Sequence, residues 1–562
     1  MLAAQRRDHN KTTLCHMVVI IMAGLVLTFP SIIYGFPAGG HDSHAHLSWY
    51  VQFSSQLWKG EFYPRWLINE NSGLGGPVFF YYGPVPYYIS SILHPVFQND
   101  SLGWHQLGLS AVFGLIASGL AAYLWIKNIA NEKIAVIAAV IYMIMPYHLA
   151  INLYERAAFS EYWSFVWMPL ILYFVSKIKT GQRFATIGLA ISYALLIMTH
   201  LPTTLIFSII PLGYSFINVS SPFKRKAIWM TISSMTLGIA LSAVYLLPAL
   251  STQDYVNIKR EGIWNLYMDN FLFAKFFPTQ LFRVELTLVV LGMILLAACA
   301  TIIHRFSSDG RVSEEIIFWI VVLIISVYMM TPFSKPIIQL FPVLHRIQFP
   351  WRYNSLLVVA TVAIFAIGFS SLKSFYTTKL SALGAISALL ITSWIMITFW
   401  QGIQESNADK TPINKIIERG TYDFNYRPRW VQTDIRDFAE STSKVTIVSG
   451  TGFVEVKEWA PRNIILRVNS PEIMELTVGQ LYYPGWTGQI LGRSCCLLVQ
   501  PSESKGLLNI SIPSGNYDVA IRLMVSIQES IGQVISAISA FIILLLTVWL
   551  GIGRFGKVAV LS

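Results

Sequence analysis

Apolar runs of up to about 20 residues, separated by short polar gaps, fill most of the chain. They lie near 15–35, 103–126, 134–151, 162–177, 184–200, 202–217, 227–249, 284–303, 315–331, 353–371, 380–400 and 529–551. A helix of that length crosses a hydrocarbon core of roughly 30 Å. The pattern therefore predicts a polytopic α-helical membrane protein of about 12 transmembrane helices, with 86–97 as a possible short or re-entrant addition. Between 401 and 528 the period changes to two, in "KVTIVSG", "FVEVKEW", "NIILRVN", "MELTVGQLYY", "CLLVQ", "LLNISIP" and "YDVAIRLMV". Turn residues such as Pro484-Gly485 and Pro513-Ser514-Gly515 separate these runs, which is the signature of a small β-sandwich. The expected organisation is a transmembrane module over 1–400, a sandwich over 401–528 and a last helix with its tail over 529–562.

Composition agrees with a membrane protein. The 562 residues are 54% hydrophobic and 12% charged, with a mean hydropathy of +0.55, where a soluble chain carries about a quarter charged residues. The net charge of +11 does not point to nucleic acid. The basic residues fall in alternate gaps: Arg6, Arg7 and Lys11; Lys127 and Lys133; Lys177, Lys179 and Arg183; Lys224 to Lys226; Arg305 and Arg311; Lys373 and Lys379; Arg554 and Lys557. With twelve spans all of these share one side, so both termini are expected in the cytoplasm. The first span is longer than a signal-peptide core and no small-x-small site follows it, so it reads as uncleaved. The long polar stretches 36–85, 147–161, 250–283, 332–352 and 401–528 then all face outward, and any chemistry is extracytoplasmic. Cys15, Cys299, Cys495 and Cys496 offer neither a disulfide framework nor a Cys-rich metal spacing.

Candidate chemistry gathers on that outer face. In "GGHDSHAHLSWY", Asp42 precedes a predicted amphipathic helix over 43–59 that would lie on the membrane surface. His46, Trp49, Tyr50, Phe53 and Leu57 share one face of it, and Asp42 and His46 are four apart. Asp42 suits an N-cap, and equally a general base at the membrane boundary. His41, His44 and His46 could form a three-histidine zinc site if the segment were extended, but no accompanying acid stands at a zincin spacing. The second outer stretch, "YHLAINLYERAAFSEYWSF", holds Glu155, Arg156 and Glu161 at the bilayer edge, where charges are costly unless hydrated or used. His200 sits at an outer turn in "THLPTT". In "LHRIQFPWRYN", Arg346, Gln348 and Arg352 surround an aromatic-proline kernel, where a guanidinium can bind a lipid phosphate or anchor the span. Tyr482 and Trp486, in "YYPGW", could stack on sugar rings or pack in a sandwich core.

These pieces together resemble a known pattern. An acid after the first span, a juxtamembrane helix, a second acid in the next outer loop and a C-terminal outer domain look like the GT-C fold of polyprenyl-phosphate-sugar glycosyltransferases. More narrowly, "GHDSHAHLSWY", "GEFYPRW", "GGPVFFYYGPVPYY", "THLPT", "YLLPAL", "IQFPWRYN" and "YYPGW" are similar to the bacterial YfhO-like membrane proteins and the relatives labelled 6-pyruvoyl-tetrahydropterin synthase-related. The synthase of that label is soluble and binds zinc through three histidines, and nothing in this sequence gives its fold. The resemblance implies a protein of the bacterial cytoplasmic membrane with Asp42 as catalytic base and Glu155 or Glu161 as second acid. His46, His200, Arg346, Gln348, Arg352, Tyr482 and Trp486 are its candidate substrate-binding residues. It implies a polyprenyl-phosphate-linked sugar donor and a cell-surface glycopolymer or glycolipid acceptor. No cofactor is required, and room remains for a divalent metal. Asp42 stands alone where many members of that superfamily carry paired acids. Two other readings are a catalytically inactive scaffold and a lipid-linked glycan flippase. The flippase is disfavoured because the spans are nearly charge-free.

Overall fold

A computed structural model describes residues 2–97, 103–217, 219, 221–259, 266–273, 281–307, 312–370, 421, 426–493 and 496–558, with side chains described outside 2–10, 221–222, 259 and 552–558. The expected span 380–400, the basic residues Arg311, Lys373 and Lys379, Cys495, and 401–420 and 422–425 of the expected sandwich lie outside the described residues.

Helices occupy the other eleven apolar stretches, but unevenly. Five described helices are long and apolar enough to cross a membrane: Trp104–Ile126, Glu132–Glu155, Leu281–Ser307, Pro350–Ser370 and Ile527–Gly551. Two further pairs join at breaks, Phe223–Leu241 with Ala243–Ser251 at 73° and Glu314–Met329 with Pro332–Leu340 at 91°, giving up to seven. The rest of the expected twelve are shorter helices, Lys11–Leu27, Ala185–Ile197 and Leu201–Tyr214, the less apolar Phe159–Lys179, and 380–400 outside the described residues. Proline, which lacks the amide proton that continues a helix, breaks some of the stretches. The apolar stretch 202–217 is divided into Leu201–Phe207 and Ile209–Tyr214, with Pro202 and Pro211 near their starts. Pro332 opens the turn that bends the second pair.

The first outer loop corrects one expectation. The helix Ser43–Trp58 forms where its pattern predicts, yet its apolar face does not lie on a membrane surface. The loop after it folds back and covers that face, with Phe53 4.6 Å from Phe79 and 4.9 Å from Tyr88 between ring centroids. His46, Trp49, Tyr50 and Phe53 are all buried. Phe79, Tyr87 and Tyr88 are themselves large apolar surfaces, and burying them against the helix removes both from water.

The C-terminal outer segment forms two antiparallel sheets with strand orders β1-β4-β8-β7 and β2-β3-β9-β5-β6. The strands are β1 Val445–Ser449, β2 Phe453–Ala460, β3 Asn463–Ser470, β4 Met474–Leu481, β5 Trp486–Ile490, β6 Cys496–Leu497, β7 Val499–Pro501, β8 Leu507–Ile512 and β9 Gly515–Leu523. All seven alternating runs contain strand; β5, with its "GWTGQI" composition, was not among them. Inward residues of both sheets, including Leu466, Val478, Ile510 and Val519, share one core. Trp66, Leu74, Phe80 and Tyr81 of the first outer loop belong to that same core, so loop and sheets are packed as a unit. The loop is held by sequence-distant bonds: Leu481 N donates to Leu74 O at 2.6 Å, and Trp66 Nε1 to Gln480 Oε1 at 3.0 Å. Gly75 has φ +77°, and an added Cβ would stand 2.6 Å from Trp66 Nε1. A second tie joins the loop, the sheets and the last helix, where Arg65 Nε and Arg462 Nη1 each lie 3.1 Å from Glu529 Oε1.

Candidate functional site

The site begins at a change of helical pitch. After Met145-Pro146 the chain winds as a π-helix, Tyr147–Glu155, a form found mostly as short segments and often at functional positions. The wider turn places Tyr147 and Asn152 toward the start of the next helix, Phe159–Lys179. Between them Ala157 takes φ +52°, an uncommon conformation for a residue with a Cβ. This turn lies directly against the entry to the first outer loop. Asp42 N donates to Arg156 O at 2.8 Å and His41 N to Glu155 O at 3.1 Å. Gly40 permits the approach, since a Cβ there would stand 2.5 Å from that of Ala157.

Glu161 is the centre. Its Oε2 lies 2.9 Å from Arg156 Nη1 and 3.3 Å from Arg352 Nε, while its Oε1 accepts the Tyr147 hydroxyl at 2.5 Å. Arg156 also donates to Asn152 Oδ1 at 2.9 Å. Arg352 donates through Nη1 to Ile347 O at 2.7 Å and to Gln348 Oε1 at 2.9 Å. Gln348 reaches that position with φ +65°. All three charged residues are buried. Two guanidiniums on one carboxylate leave a positive charge in excess, and a buried charge is costly unless an opposite charge or hydrogen bonds answer it. Asp42 adds a second negative charge that is felt at Arg156, and each guanidinium is a planar group with several donors.

Asp42 is the exposed acid beside this cluster. It occupies the N-cap position of Ser43–Trp58, but its side chain makes no capping hydrogen bond. Its charge acts on Arg156 and on Tyr82. Tyr82 marks the meeting point: burial pushes its phenol above the usual range, the Ser160 hydroxyl acts the other way, and the charges of Asp42, Arg352 and Glu161 are all felt there.

The remaining candidates divide. Of the two second-loop acids, Glu161 belongs to the cluster, whereas Glu155 lies beside another acid, Glu285. His46 is buried, with Nδ1 2.6 Å from the Tyr87 hydroxyl, and burial holds it neutral by lowering its pKa to about 4. It supports the loop rather than presenting a free imidazole. His200 caps the helix Leu201–Phe207 through Thr203, with Nδ1 2.7 Å from Thr203 Oγ1, and sits within electrostatic reach of Glu161 and Arg352. Arg346 is half-buried in the turn Pro342–Ile347, near the charge of Asp254. Trp486 is 4% exposed and packs edge-on to Trp66 at 5.7 Å, so its indole is core and not a sugar-facing surface. Tyr482 is half-buried, 5.0 Å from Trp430. The histidines do not assemble into a zinc site. His41 lies against Phe282, His46 is given to Tyr87, and His44 stands two helical positions from His46 on a different face. Among the described residues no three of His, Cys, Asp and Glu are grouped to hold a metal.

Tyr147 and Asn152 are the residues that pattern reading missed, and Arg156, noted at the bilayer edge, was given no site role. Their signal was present in "YHLAINLYERAAFSE", but a π-turn sets their facing, and an α-helical wheel misplaces it.

Comparison with known proteins identifies the group. Residues 79–400, more than half of the chain, match the family described as 6-pyruvoyl-tetrahydropterin synthase related domain, membrane protein. The chain belongs to that family. An uncharacterized protein of Lactococcus lactis subsp. cremoris (strain MG1363) is 26% identical over 267 residues, covering 45% of this synthase-related chain and 41% of the relative's length. Among solved structures, the arabinofuranosyltransferase AftD from Mycobacteria gives a TM-score of 0.45 at 14% identity, covering 69% of this chain and 28% of its own. Archaeal oligosaccharyltransferase AglB from Archaeoglobus fulgidus, in complex with an inhibitory peptide and a dolichol-phosphate, gives 0.36 at 13% identity over 74% and 61%. ArnT from Cupriavidus metallidurans gives 0.31 at 11% identity over 64% and 78%.

Proposed function

We propose that this synthase-related chain is a membrane glycosyltransferase of the GT-C type. It moves a sugar from a polyprenyl-phosphate-linked donor to an extracytoplasmic acceptor, a cell-surface glycopolymer or glycolipid. The observation that carries the reading is the pair of buried guanidiniums, Arg156 and Arg352, meeting on Glu161 beside exposed Asp42. The distribution of the basic gaps supports a reading in which this face lies outside and both termini in the cytoplasm.

In this reading the donor enters from the bilayer and its phosphate lies against Arg352 and Arg156. Glu161 has both oxygens engaged, one by Tyr147 and the other by the two arginines. It is a positioning residue, and Asp42 is the base. Asp42 takes the acceptor hydroxyl proton as that oxygen bonds to the anomeric carbon. The bond from that carbon to the phosphate oxygen breaks, and its electron pair leaves with the phosphate, so the anomeric centre inverts. The guanidiniums stabilise the charge that develops on the leaving group.

The test is transfer by the purified full chain in proteoliposomes supplied with polyprenyl-phosphate sugars. Wild type is expected to transfer and Asp42→Asn to fall by roughly 10²-fold or more. Undiminished transfer by Asp42→Asn overturns the assignment of the base. In parallel, surface polymers of a deletion strain are expected to lack a hexose-sized mass increment.

A further inference from the structure

A groove far from the outer site suggests a second ligand. The helix Ser221–Leu241 begins in "SPFKRKAIWMTIS", which has three consecutive basic residues and no acid over 221–233. Lys224, Arg225 and Lys226 are exposed. So are two large aromatic side chains beside them, Phe223 at 58% and Trp229 at 60%. Arg225, Lys226, Trp229, Met230 and Ser233 line a shallow, open groove along one face of the helix. That spacing of one, four, five and eight residues follows a single helical stripe. The groove has a direction: cations at its mouth, then an indole and a thioether, then a small hydroxyl residue, running about 12 Å along the axis at 1.5 Å per residue.

This order matches a phospholipid. A phosphate at the cationic mouth would meet Arg225 and Lys226, Trp229 would lie at headgroup depth, and an acyl chain would follow the stripe toward the bilayer centre. A zwitterionic headgroup brings no net charge to answer three cations, whereas an anionic one does. We infer that this groove is a binding site for an anionic phospholipid of the leaflet that the basic gaps face. The inference is independent of the transferase reading, because it involves no residue of the outer site.

The experiment uses the full chain extracted into detergent and exchanged with mixed micelles of phosphatidylglycerol and phosphatidylcholine. Native mass spectrometry then counts the lipids retained. Wild type is expected to retain phosphatidylglycerol in preference to phosphatidylcholine. The triple variant Lys224→Gln, Arg225→Gln, Lys226→Gln is expected to lose that preference by on the order of tenfold or more. Trp229→Ala is expected to shorten retention while keeping the preference. The charge-conserving variant Lys224→Arg, Lys226→Arg should behave as wild type, which separates lost binding from lost folding. Equal retention of the two lipids by wild type, or an unchanged preference in the triple glutamine variant, overturns the proposal.

Discussion

Glu161 Oε2 lies 2.9 Å from Arg156 Nη1 and 3.3 Å from Arg352 Nε, so one buried carboxylate joins residues separated by nearly 200 positions. That relationship gathers charges from distant segments into one buried cluster.

Removing the joint should be costly. Glu161→Gln removes the one carboxylate that both buried guanidiniums contact, a change worth roughly 3–5 kcal/mol. The expected outcome is a clear fall in thermal midpoint in detergent, partly restored by added polyprenyl phosphate. A midpoint equal to that of wild type, with or without the lipid, contradicts the described cluster.

The two arginines should differ from lysine. Arg352→Lys and Arg156→Lys keep the charge but lose the planar fork that binds two phosphate oxygens together. Each is expected to weaken polyprenyl-phosphate binding by about tenfold or more, measured by titration of the protein in nanodiscs. Retention of wild-type affinity by both would remove the phosphate from this place.

Asp42 offers the opposite signature. Its side chain is exposed and caps nothing, so Asp42→Asn is expected to leave the thermal midpoint within about 0.5 kcal/mol of wild type while transfer falls. A stability loss matching that of Glu161→Gln would make Asp42 structural.

The first outer loop should carry two opposed pH responses. Burial lowers the His46 pKa to about 4, below its ordinary 6.5. Between those values the unfolded chain binds the proton and the folded chain does not, so stability falls as pH drops from 6.5 toward 4, by on the order of 3 kcal/mol in full. Burial raises Glu61 to about 7, against the pull of Gln56 and Arg462. From 4.5 to 7 the folded chain keeps a proton that the unfolded chain releases, so stability falls as pH rises. The two partly cancel in wild type. Glu61→Gln should expose a steeper loss toward acid, and His46→Asn should expose the reverse slope, both read from thermal midpoints across pH 4.5–7. Superimposable pH profiles for all three proteins would exclude this account.

Gly75→Ala should loosen the loop from the sheets. The new Cβ meets Trp66 and Gln480 at φ +77°, a combination expected to cost about 1–3 kcal/mol. Limited proteolysis should then cut within 66–76, where wild type resists. Equal resistance would show that the approach is not tight.

Periodicity by itself determined a great deal. The apolar runs, the helix Ser43–Trp58 and the alternating strands were all legible, because burial imposes a local period on each element. The family resemblance was also legible, in "GHDSHAHLSWY" and "IQFPWRYN". Which residues meet was not. Sequence gave no preference between Glu155 and Glu161, because their separation depends on a π-helix and on Ala157 in a left-handed turn. Pattern alone put the aromatic face of Ser43–Trp58 on a membrane and left Trp486 free for a sugar. Tertiary packing buried both, because each apolar surface found a protein partner from a distant segment. Local pattern reports that a side chain must leave water. Only the fold decides what replaces the water, and for Glu161 the replacement is two arginines and a tyrosine.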